Sequence, residues 1–515
     1  MALTDVISNI DSRSQILLLF WGIFLATCIY TYFKKPSFTP CFLFLSAVCI
    51  AAAFALLTPY LYLWDEQFHA LVGKNLAKNP LTPELIPQNP IDTDQSIWAN
   101  GKIWLHKQPL FTWQIALSIK LFGTSAFAVR LPSVLFHGIL VLTIFRIGTI
   151  VFNRRTGFIA SLLTMHSAYL LGLISGRIGT DHNDFIFLCY ITLSFWAWFE
   201  WRLTFNKKWI YWIGIFAGCA ILTKWLVGLL VFMGWGIVIL PELRKGHYWN
   251  SLKPLLISFA VALFVSMPWQ IYSFLRFPAE FKREMTYNSL HLFQSIENHS
   301  GGASYHFDRI SDIYFNTIDF AIVFLISVVF LILSKKVNIE NKVYLLTTIF
   351  ILYLFFTIAQ TKMPSFTIPV FGFVVLIIAF GISEIAALIK RPLIQNLVFT
   401  ALSVLLINWM LKPSPTLTNY NPELSSEKEM RKSFRFMKEK GSNSAKHLVF
   451  GVNFFPHAHI SWMFFNDEIA YPFIPSDSQI RKAQEKGYSV AIIEMNGVEF
   501  KSKDKFQNIE LIRFE

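Results

Sequence analysis

The residues of this chain with the most obvious chemistry are carboxylates and lysines placed at the ends of long apolar runs. Asp65 and Glu66 follow the run that ends at Leu63, and Asp181, His182 and Asp184 follow another. Lys107 closes the first long polar stretch, and Lys224 and Lys362 interrupt or flank later apolar runs. A charge costs about 2.5–3.5 kcal/mol at the centre of a membrane helix and less toward the interface, so each of these needs a partner or a task. The chain has no GxxxxGK[ST] phosphate loop. Carboxylates beside lysines then suit transfer of a group from a membrane-held phosphate donor, with a carboxylate as base and a lysine neutralising the departing phosphate.

Each position also has a purely structural reading. Asp65 and Glu66 suit the first turn of a helix, where acids gain about 0.3–1 kcal/mol. Asp181 suits the N-cap of the run beginning near Asp184, and Lys224 suits snorkelling. Arg130, just ahead of an apolar run, is equally compatible with phosphate binding and with interfacial anchoring. His291, His299 and His306 lie in a polar stretch at spacings that match no zinc pattern, so a metal is not expected. His182 and His299 stand as acceptor-side or loop candidates. His457 and His459 form an HxH pair in a segment read as a partly exposed strand.

The elements that must position these residues follow from composition. Of 515 residues, 54% are hydrophobic and only 15% charged, which fits a polytopic membrane protein rather than a soluble one. The +13 net charge lies in short clusters between apolar runs, which read as topology signals and not as a nucleic-acid surface. The five cysteines fall in or beside apolar runs with no CxxC pair. The basic pairs Lys34/Lys35, Arg154/Arg155, Lys207/Lys208, Arg244/Lys245, Lys335/Lys336 and Lys390/Arg391 all fall on the cytoplasmic side if residues 110–122 form a helix too short to cross.

The spans then expected are 15–33, 40–63, 131–151, 157–175, 184–202, 208–222, 225–240, 253–273, 313–334, 343–359, 364–389 and 393–411, twelve in all. The carboxylates and lysines named above share the outer face: Asp65, Glu66 and Lys107 in a loop at about 64–130, and Asp181, Asp184, Lys224 and Lys362 at other outer span ends and turns, with a second outer loop at about 275–312. A Pro-rich linker, 412–422, leads into a C-terminal tail, so the domains expected are 1–411 and 412–515. In the tail, residues 426–440 read as a charged helix and 447–452 and 489–494 as strands, which makes a small α/β domain on the periplasmic side.

The order of these signals resembles the bacterial type C glycosyltransferases related to protein O-mannosyltransferases and to the lipid A aminoarabinose transferase. The resemblance rests on WDEQFH at 64–69, HKQPLFTW at 106–113, AVRLPSVLFHG at 128–138, FNRRTGFIASLL at 152–163, GRIGTDHN at 176–183, ILTKWLVGLL at 221–230 and TKMPSFTIPV at 361–370. It implies an all-α multi-spanning fold, a site at the outer membrane face, and a polyprenyl-phosphate sugar as donor to a glycolipid, glycan or protein acceptor. It also implies Asp65 as main catalytic carboxylate, Asp181 as second acid and Lys107 as phosphate contact, with Glu66, Lys224 and Lys362 in supporting roles. The chain departs from the pattern at Phe68, His69, His106, Gln108 and Phe366, which leaves fewer polar contacts to the donor. The resemblance implies no cofactor firmly; the Asp65–Glu66 pair is not the DxD arrangement of metal-using oligosaccharyltransferases, and a divalent metal stays open. A carrier or flippase for lipid-linked sugars would use the same groups without bond cleavage, and a structural protein would keep them without transfer.

Overall fold

A computed structural model describes residues 12–91, 98–179, 182–246, 248–411, 425–442, 444–495, 500, 505–506 and 508–514. Among them, eight helical segments are long and apolar enough to cross a membrane, nine if the pair Arg154–Met165 and Ala168–Ile174 counts as one span bent by 51°. Three helices missing from that tally account for the rest of the expected spans. Thr317–Leu333 is apolar but short, and Asp184–Thr204 carries more polar residues. The third arises because the helical run Lys208–Arg244 reverses on itself. Lys224 pairs with Asp184 at the start of the Asp184–Thr204 helix, whereas Trp209 and Trp235 both touch its far end, at Trp196 and Trp201. The reversal falls at Trp225, whose φ is +61°.

The bundle has one end where cations of the connectors and of the adjoining helix ends collect. Arg154 stacks on Tyr32 and donates to Thr39, Arg155 stacks on Phe399, Arg146 pairs with Glu200, Arg202 with Glu340, and Lys336 with Glu384. The expected span 40–63 is corrected: its helix, Thr39–Ala55, stops early, and the chain runs irregularly to Trp64. That early stop allows the backbone carbonyls of Ala55, Thr58 and Tyr60 to be used by an arginine, as described below. Pro364–Ala387 is the central helix, with 94% of the residues in its apolar stretch buried, against 11% for Ser12–Lys34. Apolar side chains such as Phe264, Leu275, Leu333 and Phe33 face outward, as a lipid-facing surface requires.

At the opposite end, Asp65–Leu76 and Pro109–Phe122 lie outside the spans. At 14 residues the second reaches about 21 Å, too short to cross a core of about 30 Å. The tail contributes the helices Ser425–Lys440, Ala458–Phe465 and Asp477–Glu485, and an all-parallel sheet in the order β2-β1-β3-β4. The strands are β1 His447–Phe450, β2 Ile469–Ala470, β3 Ser489–Met495 and β4 Ile509–Phe514. The expected HxH strand is instead the start of a helix: His457 has φ +60° and precedes Ala458–Phe465, whose apolar side is buried. The linker 412–422 lies outside the described residues.

The tail grips the Asp65–Leu76 helix. Lys74, nearly buried, donates to the carbonyls of Met463, Phe464 and Asn466 at the end of the Ala458–Phe465 helix and pairs with Asp467 at 3.2 Å. A cation at a helix C-terminus satisfies orphan carbonyls and the dipole together. Nearer the bundle, Glu427 accepts from the hydroxyls of Tyr60 and Tyr62 and pairs with Arg177. Lys74→Met strands several of those carbonyls, at about 1–3 kcal/mol for an unsatisfied buried group. We expect faster amide hydrogen exchange in Ala458–Phe465 with the membrane bundle unchanged, and unaltered exchange would show that this lysine does not hold the tail.

Candidate active site

Asp65 opens a helix in an unusual way. Trp64 before it has φ +63°, a conformation that costs an L side chain about 1–3 kcal/mol, and the Asp65 amide donates to Gly179 O at 3.2 Å. The loop after Ile174 is thus tied to the acidic turn. Asp65 Oδ2 lies 3.4 Å from Lys107 Nζ, both side chains being partly exposed. Lys107 comes just before Pro109, which starts the short helix Pro109–Phe122 at a position where the missing N–H costs nothing.

Glu66 points elsewhere. Its carboxylate meets the fully buried Arg130 guanidinium through two bonds, 2.6 Å from Nε and 3.1 Å from Nη2, and also accepts from the Tyr62 amide. Arg130 spends its remaining donors on the carbonyls of Ala55, Thr58 and Tyr60. Gly176 completes this packing. It has φ +71°, and a Cβ there would sit 2.3 Å from the Glu66 carboxylate, so only glycine fits.

A second ion pair stands across from the first. Lys224, the last residue of Lys208–Lys224, reaches Asp184 Oδ2 at 2.6 Å and lies 4.9 Å from the centre of the Phe366 ring. Asn183 Nδ2 donates to Thr223 O, which fixes the two helix ends together. Trp225 then turns the chain back in its left-handed conformation, so each ion pair adjoins a tryptophan of positive φ.

Both pairs open into one cavity of about 380 Å³. Leu226, Val227, Phe355, Phe356, Met363 and Phe366 form an apolar wall, while Asp65, Lys107, Asp184 and Lys224 contribute charge. Trp98, His106, Tyr287 and Glu297 line it as well. His106 stacks on Trp98 at 4.3 Å and bonds Glu284 at 3.1 Å, and Glu297 Oε1 accepts from Trp98 Nε1 and Tyr287 Oη. Burial alone would raise the Glu297 carboxyl, but those two hydrogen bonds and the nearby His106 and Lys107 outweigh it and hold the group below the usual range. His291 is pushed down to about 4 by burial, then by Lys107, His106 and Lys224, so near neutral pH it adds no charge. The loop carrying it is pinned by backbone bonds from Gln360, Thr361 and Lys362 to Leu292, His291 and His299.

Of the residues expected from sequence, Asp65, Lys107, Lys224 and His299 line this cavity. Asp181 lies outside the described residues. Four others need correction. Glu66 and Arg130 are buried against one another and against backbone, away from the cavity lining, so Arg130 is neither a phosphate contact nor an interfacial anchor. Lys362 is turned back onto the carbonyls of Phe356 and Thr357, where it caps Ile339–Ile358.

His182 is the fourth. It is fully buried, with its Nδ1 3.2 Å from Nδ1 of His69. One nitrogen must donate and the other accept, so the two rings cannot both be charged, and burial lowers both groups. Sequence reasoning missed Trp98, His106 as a wall residue, Tyr287 and Glu297, and passed over Asp184 as the lysine's partner. The one signal that pointed to Asp184 was an acid at the start of an apolar run. Among the described residues no three His, Cys, Asp or Glu side chains are arranged to hold a metal ion.

The family model described as dolichyl-phosphate-mannose-protein mannosyltransferase matches residues 106–272, which hold Lys107, Asp184 and Lys224. The undecaprenyl phosphate-alpha-4-amino-4-deoxy-L-arabinose arabinosyl transferase 2 of Pseudomonas fluorescens strain Pf0-1 is 30% identical over 168 residues, 31% of this chain and 29% of that protein. An uncharacterized protein of Aquifex aeolicus is 23% identical over 328 residues, 61% of this chain and 58% of that one. The chain therefore spans less than two thirds of the length of these curated relatives.

In structure, the chain is similar to ArnT from Cupriavidus metallidurans bound to undecaprenyl phosphate, with a TM-score of 0.60 at 15% identity over 86% of this chain and 87% of that one. The Archaeoglobus fulgidus oligosaccharyltransferase in its apo form gives 0.52 at 12% identity, over 88% of this chain and 69% of that one. These likenesses give the chain, a multi-pass membrane protein, the fold of the type C glycosyltransferase superfamily, the group that its motifs resemble.

Proposed function

We propose that this protein is a membrane glycosyltransferase that moves a sugar from a polyprenyl-phosphate carrier to an acceptor at the periplasmic face of the inner membrane. The observation that carries this reading is the sharing of one cavity by two carboxylate–lysine pairs and an apolar wall. The wall suits the first isoprene units of a carrier lipid, and the lysines suit its phosphate. Sidedness rests on the collection of connector cations at the far end of the bundle, the end that the positive-inside rule puts in the cytoplasm.

For a hydroxyl acceptor, Asp65 takes the proton while the acceptor oxygen attacks the anomeric carbon. The bond from that carbon to the phosphate oxygen breaks, and polyprenyl phosphate leaves with its added charge held by Lys107 and Lys224. For a phosphate acceptor no base is needed, and Asp65 orients the donor. Asp184 keeps Lys224 extended into the cavity before donor arrives. Protein in detergent, given a polyprenyl-phosphate sugar and acceptors, should release free polyprenyl phosphate; a donor left intact would favour a carrier. Lys107→Ala should weaken undecaprenyl phosphate binding by about 10- to 100-fold, the worth of roughly 1.5–3 kcal/mol for a hydrogen bond to a charged group. An unchanged Kd by tryptophan fluorescence titration would remove Lys107 from the phosphate site.

A further inference from the structure

The cavity has a polar feature that the two ion pairs do not explain. Glu297 stands on the cavity wall in a backbone turn where it and Asn298 both have positive φ, +53° and +62°. Two consecutive residues in that region are strained, and the surrounding bonds must impose it. Those bonds are present: Ile296 N donates to Thr361 Oγ1, which itself donates to Gln294 O, and Lys362 N donates to His299 O. Trp98 and Tyr287 fix one carboxylate oxygen at 3.0 and 2.7 Å, which orients the plane of the group. Stacked and edge contacts among Trp98, His106, Tyr287 and His291 frame it with aromatic rings.

We infer that Glu297, framed by Trp98 and Tyr287, forms the subsite for the glycosyl group of the donor, with its carboxylate accepting hydrogen bonds from sugar hydroxyl or amino groups. This rests on the proposed function, since it divides the same cavity between phosphate and sugar. A rigid carboxylate beside aromatic rings is chemically suited to a polyhydroxylated ring, whose O–H groups need acceptors and whose C–H faces pack on π-systems. The phosphate end needs cations, and Lys107 and Lys224 supply them at the other two positions. Against the opposing effect of burial, the hydrogen bonds from Tyr287 and Trp98 and the neighbouring positive charges keep Glu297 ionised near neutral pH, so it acts as an acceptor only.

The test exposes purified full-length protein to the polyprenyl-phosphate lipids extracted from the source cells and measures retained lipids by mass spectrometry. The wild type should retain both undecaprenyl phosphate and its sugar-linked form. Glu297→Gln, the same size without the charge, should lower the ratio of sugar-linked to sugar-free lipid about 10-fold and leave undecaprenyl phosphate itself unchanged, and Tyr287→Phe should lower the ratio two- to threefold. Equal loss of both lipids in Glu297→Gln, or a ratio unchanged within twofold, would overturn the subsite. A wild type that retains neither lipid would overturn the proposed function beneath it.

Discussion

Asp65→Asn should lower glycosyl transfer to a hydroxyl acceptor by about 10²- to 10⁴-fold, the usual contribution of a general base, while undecaprenyl phosphate still binds. Asparagine keeps the size of the side chain, and the Asp65 amide still donates to Gly179 O, so the turn that starts the helix is retained. What is lost is the proton acceptor and the charge facing Lys107 at 3.4 Å. Loss of that carboxylate removes one competitor for the Lys107 charge, so binding of the sugar-free carrier should hold or tighten as transfer collapses. A rate within tenfold of the wild type would assign the base to another group, and a parallel loss of carrier binding would show that Asp65 organises the cavity instead.

The contrast between Asp65 and its neighbour shows where the sequence could be read and where it could not. Successive residues of a helix point about 100° apart, so an acidic dipeptide at a helix start does not present two acids to one space. Asp65 faces the cavity, and Glu66 turns into the core to meet Arg130. In the linear sequence Arg130 stands beside an apolar run with no acid nearby, because its partner is 64 residues away. Lys224 was legible for the opposite reason: a cation that breaks an apolar run must find a partner. That the partner is Asp184 depends on two antiparallel helices ending at the same level, which local pattern does not reveal.

The spans were largely legible, because length and apolarity are local quantities. The site wall was not. Trp98, Tyr287 and Glu297 meet only because two polar loops some 200 residues apart in sequence are laid together, and nothing periodic marks either one. The tail follows the same division. The strands His447–Phe450 and Ser489–Met495 lie close to their apolar runs, whereas the helix at Ala458–Phe465 and its capture by Lys74 come from tertiary packing.

The pair beneath the site should have the largest effect on stability. Removing one partner of a buried ion pair costs about 3–5 kcal/mol because the other charge is left unpaired, and Arg130→Ala also strands three carbonyls that the guanidinium now satisfies. Arg130→Lys is not a repair, since an ammonium lacks the planar fork that serves Glu66 and the carbonyls of Ala55, Thr58 and Tyr60 at once. Both variants should fall sharply in the yield of monodisperse protein and in melting temperature in detergent, with alanine the worse. Glu66→Gln keeps a hydrogen-bonding side chain against the guanidinium and should lie between these variants and the wild type. Since the Asp65 turn is built on this pair, activity should decline in step with the folded fraction. A stable Arg130→Ala protein with weakened affinity for undecaprenyl phosphate would instead place the guanidinium at the ligand, and the buried geometry would then describe only the ligand-free protein.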